Sequence, residues 1–229
     1  MDDDSAQLMR FVLEMRQEGV THARALSAME RTPRKHYAPG YLADAAMENM
    51  DLPIAHGQTM TKPSIIGRML SALDAQDDDV VLEIGTGSGY QAAALAHMAR
   101  KVVTLDRWRA LVAIARAHIG TARLMHVYPY LGDGAQGWEA DAPYDRIMIN
   151  AAIDKIPDAL KSQLKPGGTI LAPIIDENGQ RLMRFKDDTN DDAGEDLGPI
   201  AFAPIEHGIA GDPAPSPETN AATNDEPQS

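Results

Sequence analysis

The run VVLEIGTGSGYQAAALAHMARKVVTLD, residues 80–106, decides the fold. Val80 to Ile84 is a short apolar stretch bounded by polar residues and glycine, which reads as a buried strand. It breaks into Gly85-Thr86-Gly87-Ser88-Gly89, and an Ala-rich helical segment runs from Tyr90 to Arg100. Val102 to Asp106 is the next strand. Strand, turn, helix and strand within about 30 residues form a βαβ unit, whose parallel strands imply a right-handed crossover.

The same alternation continues downstream. A helical stretch covers 107–118, and apolar runs follow at 124–127, 147–149 and 169–173. A helix is expected at 155–164, stopped by the turn Lys165-Pro166-Gly167-Gly168. Segments 181–185 and 199–203 flank an acidic stretch, 187–196, and are suited to antiparallel pairing. Upstream, Leu8, Phe11, Val12 and Met15 make an amphipathic helical stripe that Gly19 ends. A second helix is expected over 21–31, with Thr21 as N-cap, before Thr32-Pro33 stops it. The expected fold class is a doubly wound α/β domain with N-terminal helices and an antiparallel C-terminal strand pair. We expect one domain over 1–210, its helical substrate-side segment at 1–75 and its cofactor-binding core at 76–210. Residues 211–229 hold Pro, Asn and acids but no large apolar side chain, and are expected to be a disordered tail.

Composition narrows the class of protein. The chain has 229 residues, a formal net charge of −13 and no cysteine. Disulfides, thiolate metal sites and cysteine nucleophiles are therefore excluded. The negative balance argues against nucleic acid and anionic membrane surfaces as partners. The acidic Met1-Asp2-Asp3-Asp4 start is unlike a signal peptide, and charges interrupt every apolar stretch before about 18 residues. A cytoplasmic location is expected. The seven histidines show no H-x-x-x-H spacing, so no metal site is expected.

A glycine turn after a strand lets backbone approach a ligand, and the helix behind it presents free N–H groups. Asp106 ends the next strand, where a carboxylate can accept from both hydroxyls of a ribose. Both dinucleotides and S-adenosyl-L-methionine use such a site. A dinucleotide prefers G-x-G-x-x-G, whereas the glycines here are Gly85, Gly87 and Gly89. Glu83 would repel a pyrophosphate yet attract an ammonium, and Asp133 beside Gly134 can reach an adenine amino group. The balance favours S-adenosyl-L-methionine, with Gly85, Thr86, Gly87, Ser88 and Gly89 as the cradle. Ser88 is no hydrolase elbow, since Gly87 stands where G-x-S-x-G needs serine.

Five segments resemble the protein-L-isoaspartate (D-aspartate) O-methyltransferase family: 31–39 (RTPRKHYAP), 52–63 (LPIAHGQTMTKP), 81–93 (VLEIGTGSGYQAA), 132–138 (GDGAQGW) and 142–147 (APYDRI). The resemblance covers residues 5 to 205, and its most family-specific element is Gly57 to Thr61. It implies a Rossmann-like methyltransferase fold and methyl transfer from S-adenosyl-L-methionine to the free carboxylate of L-isoaspartyl and D-aspartyl residues in damaged proteins. The methyl ester then closes to a succinimide, whose hydrolysis partly restores aspartate. Isoaspartyl-containing proteins and peptides are the implied partners, and a monomer is expected.

The resemblance places Gln58, Thr59, Met60 and Thr61 beside the cofactor. Thr61 stands where the family has a serine whose hydroxyl meets the acceptor carboxylate; it keeps the hydroxyl but stiffens χ1. On local sequence alone, Thr61 also suits the N-cap of a helix starting at Lys62-Pro63. His56 reads equally as pocket wall or loop residue, Trp108 as a flank for adenine, and Trp138 as partly buried wall. The 36–39 segment reads as packing.

Overall fold

The computed structural model describes residues 3–187 and 194–211, with side chains from residue 6. The expected tail at 211–229 thus lies, beyond Gly211, outside the described residues, as does 188–193 of the acidic stretch. In chain order the elements are α1 (Asp3–Gln17), α2 (Ala23–Glu30), β1 (Leu52–Pro53), β2 (Thr59–Met60), α3 (Pro63–Leu73), β3 (Val80–Ile84), α4 (Tyr90–Leu95), β4 (Lys101–Asp106), α5 (Arg109–Thr121), β5 (Val127–Leu131), β6 (Tyr144–Ile149), α6 (Asp158–Ser162), β7 (Leu164–Asp176), β8 (Gly179–Lys186) and β9 (Glu195–Pro199).

The main sheet runs β5-β4-β3-β6-β7-β8-β9. Its first five strands are parallel, and β8 and β9 turn back as an antiparallel meander. Chain order reverses at β3, which lies between β4 and β6, so a crevice opens beyond the carboxyl ends of β3 and β6. The strands are apolar on both faces because helices or loops cover both. Val81, Val102, Met148 and Leu171 join the core beneath α1 to α5, whereas Leu82, Val103, Ile147 and Ile170 join a second core with Leu160 of α6.

Several boundaries differ from the sequence expectation. His22, not Thr21, caps α2, its ring nitrogen accepting the Ala25 N–H at 3.3 Å. The strand expected at 124–127 begins at Val127. The helix expected at 155–164 shrinks to Asp158–Ser162. Residues 165–168 do not precede the next strand but form an irregularity within β7, between the pairs Tyr144↔Leu164 and Arg146↔Thr169. Glycines there predict a turn that ends before the next strand; instead β6 and β7 pair on both sides of the segment, and the register shifts across it. Part of the acidic stretch is likewise structural: Glu195 and Asp196 lie in β9 and pair with Arg184 and Arg181 of β8. The partner of β8 is therefore Glu195–Pro199 rather than 199–203.

After β9 the chain crosses the carboxyl edge of the sheet as a strap. Ala203 O accepts from Ala152 N and Ile205 N donates to Ala152 O, both at 2.8 Å. Gln180 of β8 grips the strap through its amide, accepting from Phe202 N at 2.7 Å and donating to Phe202 O at 2.9 Å.

Candidate active site

The glycine turn after β3 stands at the crevice. Gly85, Gly87 and Gly89 all have positive φ (92°, 53° and 84°), a region costly for any residue with a Cβ. Their reasons differ. A Cβ at Gly85 would meet Asn150 Cβ at 3.2 Å, on the ligand side of the turn. At Gly89, the N-cap of α4, it would meet Ala115 of α5 at 3.1 Å, so this glycine serves helix packing.

A cavity of about 370 Å³ opens beside the turn. Its lining includes Gly85, Thr86, Gly87 and Ser88 with Asp106, and Gly57, Gln58, Thr59, Met60 and Thr61 with Asp51. Asn150 and strap residues Ala201 to Ala203 close the remainder. A smaller cavity of about 120 Å³ continues past Asp106 and Gly134 to Trp108, under Pro204 to Glu206 of the strap. The larger cavity of about 530 Å³ beside α6 and β8 is remote from the glycine turn and lined by charges of both signs.

Asp106 is 8% exposed. Its Oδ2 accepts Gly87 N at 2.9 Å and its Oδ1 accepts Trp108 N at 3.0 Å. Burial raises its pKa, while the backbone N–H groups of Trp108, Gly87 and Arg107 and the Arg107 charge oppose the rise. Each oxygen keeps a second lone pair, so the group can hold the turn and still accept from a diol.

Glu83 is fully buried and lies off the cavity wall. Its Oε2 accepts Thr104 Oγ1 at 2.6 Å and its Oε1 accepts Asn150 Nδ2 at 3.2 Å. Desolvation dominates its titration, pushing the pKa up to about 8 against the Thr104 and Asn150 hydrogen bonds that favour the charged form. Thr86 lines the cavity, but its hydroxyl turns to Thr104 at 2.6 Å and joins this buried network. Asp133 is also placed off both cavity walls; Oδ1 accepts Ala135 N at 3.0 Å and Oδ2 accepts Gly208 N at 2.8 Å, anchoring the strap. Its neighbour Gly134 does line the smaller cavity.

The structure also brings in residues that the sequence reading passed over. Asn150 follows β6 at the point of reversal, donates from Nδ2 to Gly85 O at 3.1 Å, and leaves Oδ1 buried without a partner. A polar residue closing an apolar strand was a usable signal; only the sheet order shows that this strand borders β3. Arg34, fully buried, had no such signal, since its partners are carbonyls from two segments, 46–50 and 60–61.

Thr61 does not cap α3. Lys62 holds the N-cap position without a side-chain cap bond of its own, and the first N–H groups go to other partners: Lys62 N to Asp51 Oδ1 at 2.7 Å and Ser64 N to Asn49 Oδ1 at 3.0 Å. Trp108 lines the smaller cavity and stacks on His56 at 4.4 Å, while Trp138 stacks on Tyr130 at 4.4 Å in the second core. Tyr37 packs edge-on against Tyr90 and His118. No group of metal-ligating side chains occurs among the described residues, and no described helix is long and apolar enough to cross a membrane.

Comparison with known proteins places the chain in a family. The family model for protein-L-isoaspartate(D-aspartate) O-methyltransferase matches residues 6–209. The Azorhizobium caulinodans protein-L-isoaspartate O-methyltransferase is 44% identical over 208 residues, covering 90% of this chain and 96% of that one. Its Maricaulis maris counterpart is 42% identical over 204 residues, covering 89% and 96%. Among solved structures, a protein-L-isoaspartate O-methyltransferase superposes with a TM-score of 0.79 at 23% identity, covering 88% of this chain and 67% of that one. A Plasmodium falciparum β-aspartate methyltransferase in complex with S-adenosyl-L-homocysteine gives 0.76 at 18% identity, covering 86% and 97%. This chain belongs to the protein-L-isoaspartate(D-aspartate) O-methyltransferase family.

Proposed function

We propose that this protein transfers a methyl group from S-adenosyl-L-methionine to the free carboxylate of L-isoaspartyl, and D-aspartyl, residues in damaged proteins, starting their repair through a succinimide. One observation carries the reading: the Gly57 to Thr61 segment and the Gly85 to Ser88 turn line one cavity. Family membership supplies the substrate class.

The residues present fit the cofactor. Asp106 offers spare lone pairs at the position for ribose hydroxyls, and the buried Oδ1 of Asn150 lacks a donor that an ammonium would supply. S-adenosyl-L-methionine, when bound, supplies a methyl already activated on sulfonium. The chain then needs no metal and no base, because a carboxylate with a pKa near ~4 is ionised at neutral pH. What the protein contributes is alignment and exclusion of water. In this reading Thr61 donates its hydroxyl to the acceptor carboxylate, Gly85 and Gly87 let backbone approach the cofactor, and the strap covers the nucleoside side. Glu83 acts one layer further back, holding Asn150 and Thr104. We take 1–210 as one methyltransferase domain acting as a cytoplasmic monomer, with the net charge of −13 supporting the absence of a nucleic-acid partner.

The test pairs an L-isoaspartyl peptide with its aspartyl twin and labelled cofactor. Base-labile methyl ester should form on the first alone; equal labelling of both overturns the proposal.

A further inference from the structure

Thr61 follows β2 and precedes Lys62, the N-cap of α3, close enough to the helix start for a threonine hydroxyl to be drawn into capping. Here that task is done from outside. Asp51 Oδ1 takes Lys62 N at 2.7 Å and Asn49 Oδ1 takes Ser64 N at 3.0 Å, so the N-terminal N–H groups of α3 are satisfied without Thr61. Among the described residues the Thr61 hydroxyl has no hydrogen-bond partner, and the residue lines the cavity.

The backbone on either side of the Thr61-Lys62 peptide is held as well. Its carbonyl accepts Arg34 Nη2 at 3.2 Å and its N–H donates to Asp51 at 2.7 Å. Arg34 is fully buried, and its Nη1 and Nη2 also donate to Ala46 O, Glu48 O, Met50 O and Met60 O, at 2.9 to 3.4 Å. The same guanidinium thus ties the 46–50 segment, which carries Asn49 and leads to Asp51, to the 60–61 segment. Burial lowers the Arg34 pKa to about 10, so the group stays charged at neutral pH. A peptide plane gripped at both ends has one orientation, and with it the Cα–Cβ bond of Thr61 has one direction.

We infer that Asp51 is a positioning residue for methyl transfer: while Asn49 relieves Thr61 of helix capping, Asp51 with Arg34 orients the Thr61-Lys62 peptide so that the hydroxyl faces the acceptor. This rests on the proposed role of the Thr61 hydroxyl. Asp51 acts through the Lys62 N–H and takes no proton from the substrate. An asparagine at 51 keeps an oxygen acceptor for that N–H; an alanine does not.

The experiment is a double-mutant cycle on the full chain with an L-isoaspartyl peptide, reading kcat and KM, and with S-adenosyl-L-homocysteine affinity by calorimetry as a check on folding. Asp51→Ala should lower kcat about tenfold to a hundredfold, the scale of a misplaced catalytic group, with cofactor affinity unchanged. Asp51→Asn should restore most of that loss. Asp51→Ala combined with Thr61→Ala should be no slower than Thr61→Ala alone, because the clamp has nothing left to orient. Multiplying losses, or an asparagine variant as slow as the alanine one, would overturn the inference while leaving the Thr61 role intact. A cofactor affinity that falls with kcat in Asp51→Ala would overturn it as well, showing a general structural role. Full activity in Thr61→Ala would instead defeat the Thr61 role, and this inference with it.

Discussion

Asp106 and Gly87 are joined by a hydrogen bond of 2.9 Å from the glycine N–H to Oδ2. The acid that ends β4 is thereby bonded to the middle of the turn that follows β3, and one carboxylate shapes the loop while facing the cavity. This bond explains why the turn is held open: the Gly87 N–H, with its residue at positive φ, has a charged acceptor in place of a helical one.

Removing that carboxylate should weaken the cofactor site in two ways, through the loop and through the lost diol contacts. Asp106→Ala should reduce S-adenosyl-L-homocysteine affinity by ~1–3 kcal/mol. Asp106→Asn keeps one acceptor and should lose less. Calorimetry decides the matter, and an alanine variant with the parent's affinity removes Asp106 from the site.

Thr61→Ala should cut kcat about tenfold or more, the worth of one hydrogen bond to a charged group, with little change in cofactor affinity. Thr61→Ser keeps the hydroxyl and frees χ1, so its rate should equal or exceed the parent's. Steady-state kinetics on an isoaspartyl peptide checks both, and identical kinetics in all three proteins removes the hydroxyl from the reaction.

Glu83 makes stability depend on pH. Its folded pKa of about 8 exceeds the ordinary 4.5, so between those values the folded state binds more protons than the unfolded state. The contribution is complete below pH 4.5 and is lost as pH rises through about 8. Glu83→Gln removes this group, so the parent should lose thermal stability relative to the variant as pH climbs from about 5 to about 8. Melting curves across that range that stay parallel would show that Glu83 is not held protonated.

Asp133 separates two roles that the sequence could not. If it anchors the strap, Asp133→Ala should speed hydrogen exchange at the Gly208 amide, its partner at 2.8 Å. Unaltered exchange with a fall in cofactor affinity as large as that of Asp106→Ala would put Asp133 on the adenine instead.

How much of this was legible beforehand depended on the range of the interaction. The glycine turn, the strands on either side of it and Asp106 at a strand end are short-range patterns, and they appear where the sequence places them. The 165–168 turn misled because glycine preferences are local, whereas a neighbouring strand edge is not. Thr61 suited an N-cap for the same reason: nothing near it in sequence reveals that Asn49 and Asp51 fold back to cap α3. Glu83 lies close to the glycine turn in sequence, yet its carboxylate is spent on Thr104 and Asn150 of the flanking segments. Which side of β3 it takes depends on the pleat and on the neighbouring strands, and neither is written in the residues beside it.

From the chain alone came the architecture and the type of cofactor, because alternating apolar periods and a glycine turn are written in consecutive residues, and the resemblance of five short segments pointed to the family. Folding in three dimensions decided which polar groups meet the cavity. Arg34, Asp51 and Asn150 enter the site's surroundings, and Glu83 and Asp133 turn to internal partners. The physical reason is that a buried polar group must be satisfied by whatever donor or acceptor packing brings near it, and those partners lie tens of residues away along the chain.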